Sequence, residues 1–250
     1  MIPVKSREEI KKIRRASQIV AEALSTLKQV IAPGITTKEL EQIAEEVIRS
    51  RGGVPAFKGY RGYPASICAS VNDEVVHGIP SIDVILREGD IISIDLGVIY
   101  EGLIGDAAMT VPVGRVDKET ERLIRVTEEA LYKGIKEARI SRRVGDISHA
   151  IQRYVESHGF SVVRAFVGHG VGRSLHEEPQ IPNFGYPGKG PKLKEGMTLA
   201  IEPMVNAGTY EVVIMKDGWT AKTADGSLSA HFEHTVLVTR NGPEILTKGF

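Results

Sequence analysis

LREGDIISIDLG (residues 86–97) and LKEGMTLAIEPM (residues 193–204) read as two versions of one segment, 107 residues apart. Leu86 falls on Leu193, Glu88 on Glu195, Gly89 on Gly196, Ile94 on Ile201, and Asp95 on Glu202. The same offset carries Leu40, Ala44, Ile48 and Gly52 onto Ile147, Ile151, Val155 and Gly159. Helix–turn–strand grammar produces scattered coincidences, but one offset across two separate segments with no gap argues for duplication. Two related halves, about residues 1–116 and 117–250, would each offer a carboxylate from an equivalent strand. A pseudo-twofold arrangement would bring the two carboxylates face to face.

Helix signals frame these segments. Ser6 with Glu9 reads as a capping box, opening a helix whose apolar face runs through Ile10, Ile13, Val20, Leu24 and Leu27 and which Pro33-Gly34 ends. Thr36 with Glu39 repeats the signal for a second helix, with Leu40, Ile43, Val47 and Ile48 inward and a stop at Gly52-Gly53. Strands are predicted over 66–72, 90–100 and 103–113, a third helix over about 118 to 138, and a fourth from about Asp146 to His158, closed by Gly159. Helices, strands, helices and strands in that order predict an α+β fold rather than a βαβ repeat. At 250 residues the chain suits one domain, or two intimately packed halves.

Composition narrows the function classes. Lys+Arg and Asp+Glu balance at 32 each, so no global field recruits DNA or an anionic membrane. The single cysteine, Cys68, excludes an intrachain disulfide and a cysteine-based metal cluster. The first fifteen residues carry no apolar run like that of a signal peptide, and no later run is long enough for a bilayer, which predicts a cytoplasmic protein.

Four carboxylates and an imidazole carry the chemistry. Asp95 ends the apolar run Ile-Ile-Ser-Ile, where an unpaired charge in a sheet interior is costly and calls for a metal or a buried arginine. Asp106 follows a turn at Glu101-Gly102, and a hairpin there folds it back beside Asp95, although Gly-Asp also serves as a plain turn cap. His169 stands between glycines in GHG, which permits close backbone approach and an exposed ring. His176 lies too far along for a helical pair with it, so the two are expected to serve different roles. Glu202 precedes Pro203 at a strand end. Glu233 sits between His231 and His234, and a two-residue period puts His231 and Glu233 on one face and His234 on the other. His77 follows a strand-like run before a Gly-x-Pro turn, a setting in which a lone histidine is more often a capping residue. An oxygen-rich set with one imidazole suits Mn, Fe or Co better than a closed structural zinc site.

Taken in order, NDEVVHGIP, SIDLGVIYEGLIGDAAMT, GHGVGRSLHEEP, IEPMVN and KTADGSLSAHFEHT closely resemble the methionine aminopeptidases, over nearly the whole chain. The resemblance implies the pita-bread fold, two pseudo-symmetric αβ halves around a curved antiparallel sheet with helices outside. It implies the short bacterial type I form, since neither an N-terminal zinc-binding extension nor the type II insertion is present. On this basis two divalent ions (Co, Mn or Fe, with Zn also satisfying the ligands) would be held by Asp95 on one side, His169 and Glu202 on the other, and Asp106 and Glu233 between them. A bridging hydroxide would attack the first peptide carbonyl, with Glu202 shuttling its proton to the leaving amine. His77 and His176 would hydrogen-bond substrate and stabilise the tetrahedral intermediate. Phe57, Tyr60, Tyr63, Cys68, His77, Leu175, His176 and Trp219 would bind the substrate, whose second residue must be small. Phe57 stands where the bacterial pattern often has cysteine, Leu175 where an aromatic is familiar, and His231 where glutamine is expected.

The implied partner is the N-terminal peptide of nascent proteins, with a ribosome contact near the tunnel exit and a monomeric state. The rival expectations are an X-Pro aminopeptidase or dipeptidase of the same fold, which typically carries a sizeable N-terminal domain, and a non-catalytic pita-bread binding protein, which would lack several ligands.

Overall fold

The computed structural model describes residues 2–250. Its first helix, α1 (Arg7–Val30), starts at a complete capping box, with the Ser6 side chain accepting from the Glu9 N–H and the Glu9 carboxylate accepting from the Ser6 N–H. Thr36 and Glu39 repeat that geometry at α2 (Thr37–Ser50). Two more helices follow the central strands, α3 (Lys118–Glu137) and α4 (Val144–Ser157).

The offset of 107 residues also appears in the backbone. Helix α2 maps onto α4 residue for residue at the offset of 107, and α1 and α3 end at the equivalent residues Val30 and Glu137. Isolated bridges join Thr36 to Ile85 and Arg143 to Lys192, again the same pair of positions. This is the pita-bread α+β architecture, with helices against antiparallel sheets.

Strand Ile91–Tyr100 pairs along its whole length with Leu103–Pro112. Glu101 (φ 47°) and Gly102 (φ 77°) make the two-residue turn, whose two left-handed residues match the twist of the strands. On its other edge Ile91–Tyr100 holds Val54–Pro55 and Cys68–Val71. In the second half a five-stranded antiparallel sheet runs in the order Gly242–Ile245, His234–Thr239, Thr198–Ile201, Gly168–Gly170, Glu177–Ile181. The two sheets meet where the Glu233 N–H donates to the Ala108 carbonyl at 2.9 Å and Asp106 N–H donates to the Thr235 hydroxyl at 3.0 Å. One continuous apolar core runs under all four helices, from Leu24, Leu27, Leu40 and Ile48 through Ile92 and Ile94 to Leu131, Ile147, Ile151 and Leu199. Helix α1 lies so close on the hairpin that a Cβ at Gly105 would stand 2.6 Å from Ser17 Oγ, which only glycine allows.

Several boundaries differ from expectation for identifiable reasons. Helix α4 begins at Val144, because Asp146 is not its cap residue; its carboxylate reaches back to the Arg143 N–H at 2.7 Å. The strand predicted over 66–72 shrinks to Cys68–Val71, since the Ser66 N–H goes to the Glu41 carboxylate (2.8 Å) instead of a ladder. That contact also buries Glu41, while Ile43, Val47 and Ile10 are only half-buried. The strand expected through His231–His234 is interrupted at Phe232 and Glu233, so the two-residue period fails there and all four side chains are buried. Among the described residues no helix is long and apolar enough to cross a membrane.

Candidate metal centre

The long hairpin sets Asp95 and Asp106 on neighbouring strands, with Gly97 directly opposite Asp106. Glycine at 97 leaves room for the aspartate, since a Cβ there would stand 3.4 Å from Asp106 Oδ1 and 2.9 Å from the Phe57 ring. Glu202 lies in the break between Thr198–Ile201 and Met204–Asn206, where Pro203 offers no N–H to continue a ladder. His169 is the middle residue of a three-residue strand paired to Ala200, and Glu233 occupies the break before His234. Five chain segments thus deliver their side chains to one cavity of about 330 Å³, whose wall includes Asp95, Asp106, His169, Glu202 and Glu233. Asp106, His169 and Glu233 form one group, each offering a donor atom within 4.8 Å of the other two.

The electrostatics of this group are unfavourable without a cation. Asp95 Oδ1, Asp106 Oδ1, Glu202 Oε1 and Glu233 Oε1 are buried and accept no hydrogen bond. Burial, then mutual repulsion, pushes the Asp95, Glu202 and Glu233 carboxyls well above the usual range. Burial likewise raises Asp106. The His169 ring is held to about 3 by burial first and the adjacent His176 second, so it is neutral at physiological pH. Its Nδ1 lies 3.0 Å from the Gly170 carbonyl, which fixes that nitrogen as the N–H donor and leaves Nε2 with a free lone pair 3.3 Å from Glu202 Oε1. Four orphaned carboxylate oxygens and a lone pair facing one of them are the donor set of a hard-to-borderline divalent ion. The residues fit such an ion.

The remaining candidates line the same cavity. His77 has a left-handed backbone (φ 62°), rare for a residue with a side chain, and its ring meets Phe166 edge-on at 5.4 Å and Trp219 at 6.4 Å. His176 Nδ1 lies 2.8 Å from the Tyr60 hydroxyl, and its ring centroid is 4.3 Å from that of His169. The two histidines expected to be apart in role are therefore side by side in space. Burial, with the charge of Arg61 next, lowers the His176 ring to about 4. Phe57, Tyr63, Cys68 and Leu175 are buried apolar wall, with Tyr60 and Trp219 packed on them. Burial raises the Cys68 thiol, so it is an inert part of that wall.

His231 is not on the wall; it lies behind Glu202, its Nε2 3.7 Å from Glu202 Oε2. His234 turns away, bonding the Thr247 hydroxyl at 2.9 Å. Arg61, Val76, Ala165, Phe166, Val167 and Met204 line the cavity without having been singled out from the sequence. Adjacency to the motifs was the available signal, since Phe166-Val167 precede GHG and Met204 closes IEPM. A larger trough of about 490 Å³ between α3 and α4 is a shallow basic surface, with no buried orphaned donor among its lining residues.

Residues 11–240 match the model of metallopeptidase family M24. The chain is 56% identical over 247 residues to a methionine aminopeptidase of Clostridium perfringens, covering 99% of both chains. It is 55% identical over 248 residues to methionine aminopeptidase 1 of Bacillus subtilis, covering 99% of this chain and 100% of that one. The crystal structure of a methionine aminopeptidase from Thermotoga maritima superposes with a TM-score of 0.98 at 54% identity, over 99% of this chain and 100% of that one. A prolidase from Pyrococcus furiosus shares the fold at a TM-score of 0.78 and 25% identity, but this chain spans only 65% of it. The full-length likeness lies with the first group: the chain belongs to the methionine aminopeptidases, metal-dependent exopeptidases of metallopeptidase family M24.

Proposed function

We propose that this protein removes the initiator methionine from nascent chains whose second residue is small. The observation that carries the reading is the convergence of Asp106, His169 and Glu233, with orphaned carboxylate oxygens, in a cavity that also carries a wall of aromatic and aliphatic side chains. Asp95, Asp106, His169, Glu202 and Glu233 would hold two divalent ions. When bound, such ions supply Lewis-acid activation of a peptide carbonyl and of a water at neutral pH.

The chain's own residues do the rest. Glu202 holds a proton on a carboxylate oxygen and passes it to the departing amine; a carboxyl raised by burial is suited to carry it near neutral pH. His77 and His176 orient the first peptide carbonyl and donate to the oxygen as charge develops on it, from rings that burial keeps neutral. Tyr63, Trp219, Phe57, Tyr60, Cys68 and Leu175 receive the methionine side chain, whose thioether favours contact with aromatic edges. Relative to the pattern expected of bacterial relatives, Phe57 adds bulk and Leu175 removes it, so the pocket is reshaped while staying apolar. The whole of 1–250 acts as one catalytic unit, monomeric and cytoplasmic, with transient contact near the ribosomal tunnel exit.

The test is free methionine released from Met-Ala-Ser by chelator-stripped protein, with Mn, Fe or Co added back and an Ala-Pro peptide as control. Release that returns with metal and is absent on the control supports the reading. Cleavage of the X-Pro peptide alone overturns it in favour of a prolidase-like activity.

A further inference from the structure

Three residues on the cavity wall are exposed, Arg61, Ala165 and His176, and they mark its mouth. Among the described residues, Arg61 is also the only lysine or arginine on that wall. Its guanidinium sits 5.4 Å from the Tyr60 ring centroid, and Tyr60 in turn holds His176. Lys58, three residues earlier, pairs with Glu45 at 3.0 Å, whereas no carboxylate among the described residues pairs with Arg61. Its backbone is left-handed (φ 49°, ψ 23°), a conformation that disfavours a long side chain. The loop keeps it there: the Gly59 N–H donates to the Tyr63 carbonyl at 2.8 Å and the Tyr63 N–H to the Tyr60 carbonyl at 2.9 Å. A strained, unpaired cation held at the mouth of a cavity whose depth is lined by carboxylates is an observation the reaction itself does not use.

A peptide substrate passes this residue. Its first carbonyl must reach the carboxylate cluster, so the chain after the cleaved bond leaves through the mouth. An extended chain advances about 3.3–3.6 Å per residue, which carries the third residue roughly 7 Å outward from the first carbonyl, into the exposed zone. We propose that Arg61 is a specificity-determining residue that favours substrates with an acidic side chain at the third position and disfavours basic ones there. The proposal rests on the aminopeptidase reading above. It concerns a solvent-accessible pairing, so the expected discrimination is modest, about two- to fivefold, and is screened by salt.

The experiment measures kcat/KM for methionine release by the Mn-loaded enzyme from three amidated peptides, Met-Ala-Asp-Ala, Met-Ala-Asn-Ala and Met-Ala-Lys-Ala. The intact protein should prefer Asp to Lys by about two- to fivefold, mainly through KM, and the ratio should shrink as salt rises from about 0.05 to about 0.5 M. Arg61→Asn, chosen because asparagine tolerates a left-handed backbone, should bring the ratio to about one. Arg61→Lys should keep the preference and Arg61→Glu should reverse it. A uniform change in rate with the Asp:Lys ratio intact in Arg61→Asn would mean a purely structural residue and overturn the proposal. So would a ratio of one in the unaltered enzyme. Absence of release from all three peptides would instead sink the aminopeptidase reading, and this proposal with it.

Discussion

The two halves of the molecule share a frame and differ where the cavity is built. In the first, Ile91–Tyr100 runs ten residues without interruption and carries Asp95 in mid-strand. In the second, the equivalent stretch is cut by Pro203 into Thr198–Ile201 and Met204–Asn206, and Glu202 occupies the cut. The two pieces join different sheets, the second pairing with Ser161–Val162 and Ser229–His231. The helix pairs differ by a size exchange. Leu27 of α1 and Ala44 of α2 correspond to Gly134 of α3 and Ile151 of α4, so large and small residues have traded helices. Packing volume was kept within each half, while the ladder was broken in only one. A backbone frame tolerates divergence as long as volume and hydrogen bonding close locally. The break in the ladder frees a carboxylate to turn from the sheet into the cavity.

The sharpest way to break this comparison is to neutralise the two equivalent carboxylates. Glu202→Gln should lower kcat by about 10²–10⁴-fold, because it removes a proton carrier, and excess metal should not restore it. Asp95→Asn should also lose activity at low metal but recover part of it as Mn is raised. Equal behaviour of the two variants in a metal titration would erase the functional asymmetry between the halves.

Metal removal comes next in size. The stripped protein should melt at a lower temperature, with Mn at about a hundredfold excess over its Kd adding about 2.7 kcal/mol. Asp106→Asn and Glu233→Gln, one from each half, should both lose most of that gain in a thermal melt at fixed Mn. A gain that survives either change would show that the halves do not share the ions.

The size exchange predicts a smaller effect. A Cβ at Gly134 would lie 2.8 Å from Ile151 Cδ1 and Cγ1. Gly134→Ala should cost about 1–2 kcal/mol in urea unfolding, overpacking outweighing the gain in helix propensity of about 1 kcal/mol. Combined with Ile151→Ala, which restores the small residue found at Ala44, the double variant should be less destabilised than the sum by about 1 kcal/mol. Strict additivity would mean that the two sites do not share a contact.

The smallest effect lies at the α1 cap. Hydrogen bonds from Arg173 and the Ser6 N–H hold Glu9 at about 2, below its ordinary value. A depressed carboxylate contributes stability that is complete above about pH 4.5 and is lost as pH falls through about 2. Because solvent reaches the Arg173 side of the pair, the contribution is at most about 1 kcal/mol. Glu9→Gln should therefore lower stability slightly at pH 7, with the difference shrinking as pH falls toward about 2, followed by denaturant melts at both values.

Much of this was legible because its signals are local. Both capping boxes, the hairpin turn at Glu101-Gly102 and the register of the duplication depend on residues a few positions apart or on one constant offset. The cavity wall was legible only in part. Phe166 and Met204 could be suspected only from adjacency to the GHG and IEPM motifs, and Arg61 carries no local signature of a lining residue. The His231–His234 segment misled the period reading because the backbone there leaves one sheet to reach Ala108 before entering another.

By itself the sequence determined the four helices and the long hairpin, and it supplied the constant offset of 107 and a set of four carboxylates and one imidazole whose chemistry suits a metal. These follow from short-range sterics, periodic burial and the chemistry of the side chains, none of which needs the chain's path in space. Tertiary structure alone decided that Asp106, His169 and Glu233 converge within 4.8 Å, that the His176 ring lies tilted beside His169, and that His231 backs Glu202 while His234 turns to Thr247. Each of these is a meeting of side chains between seven and 127 positions apart in the chain, or a local break in a strand. It is fixed by which ladders close, and no local pattern records that.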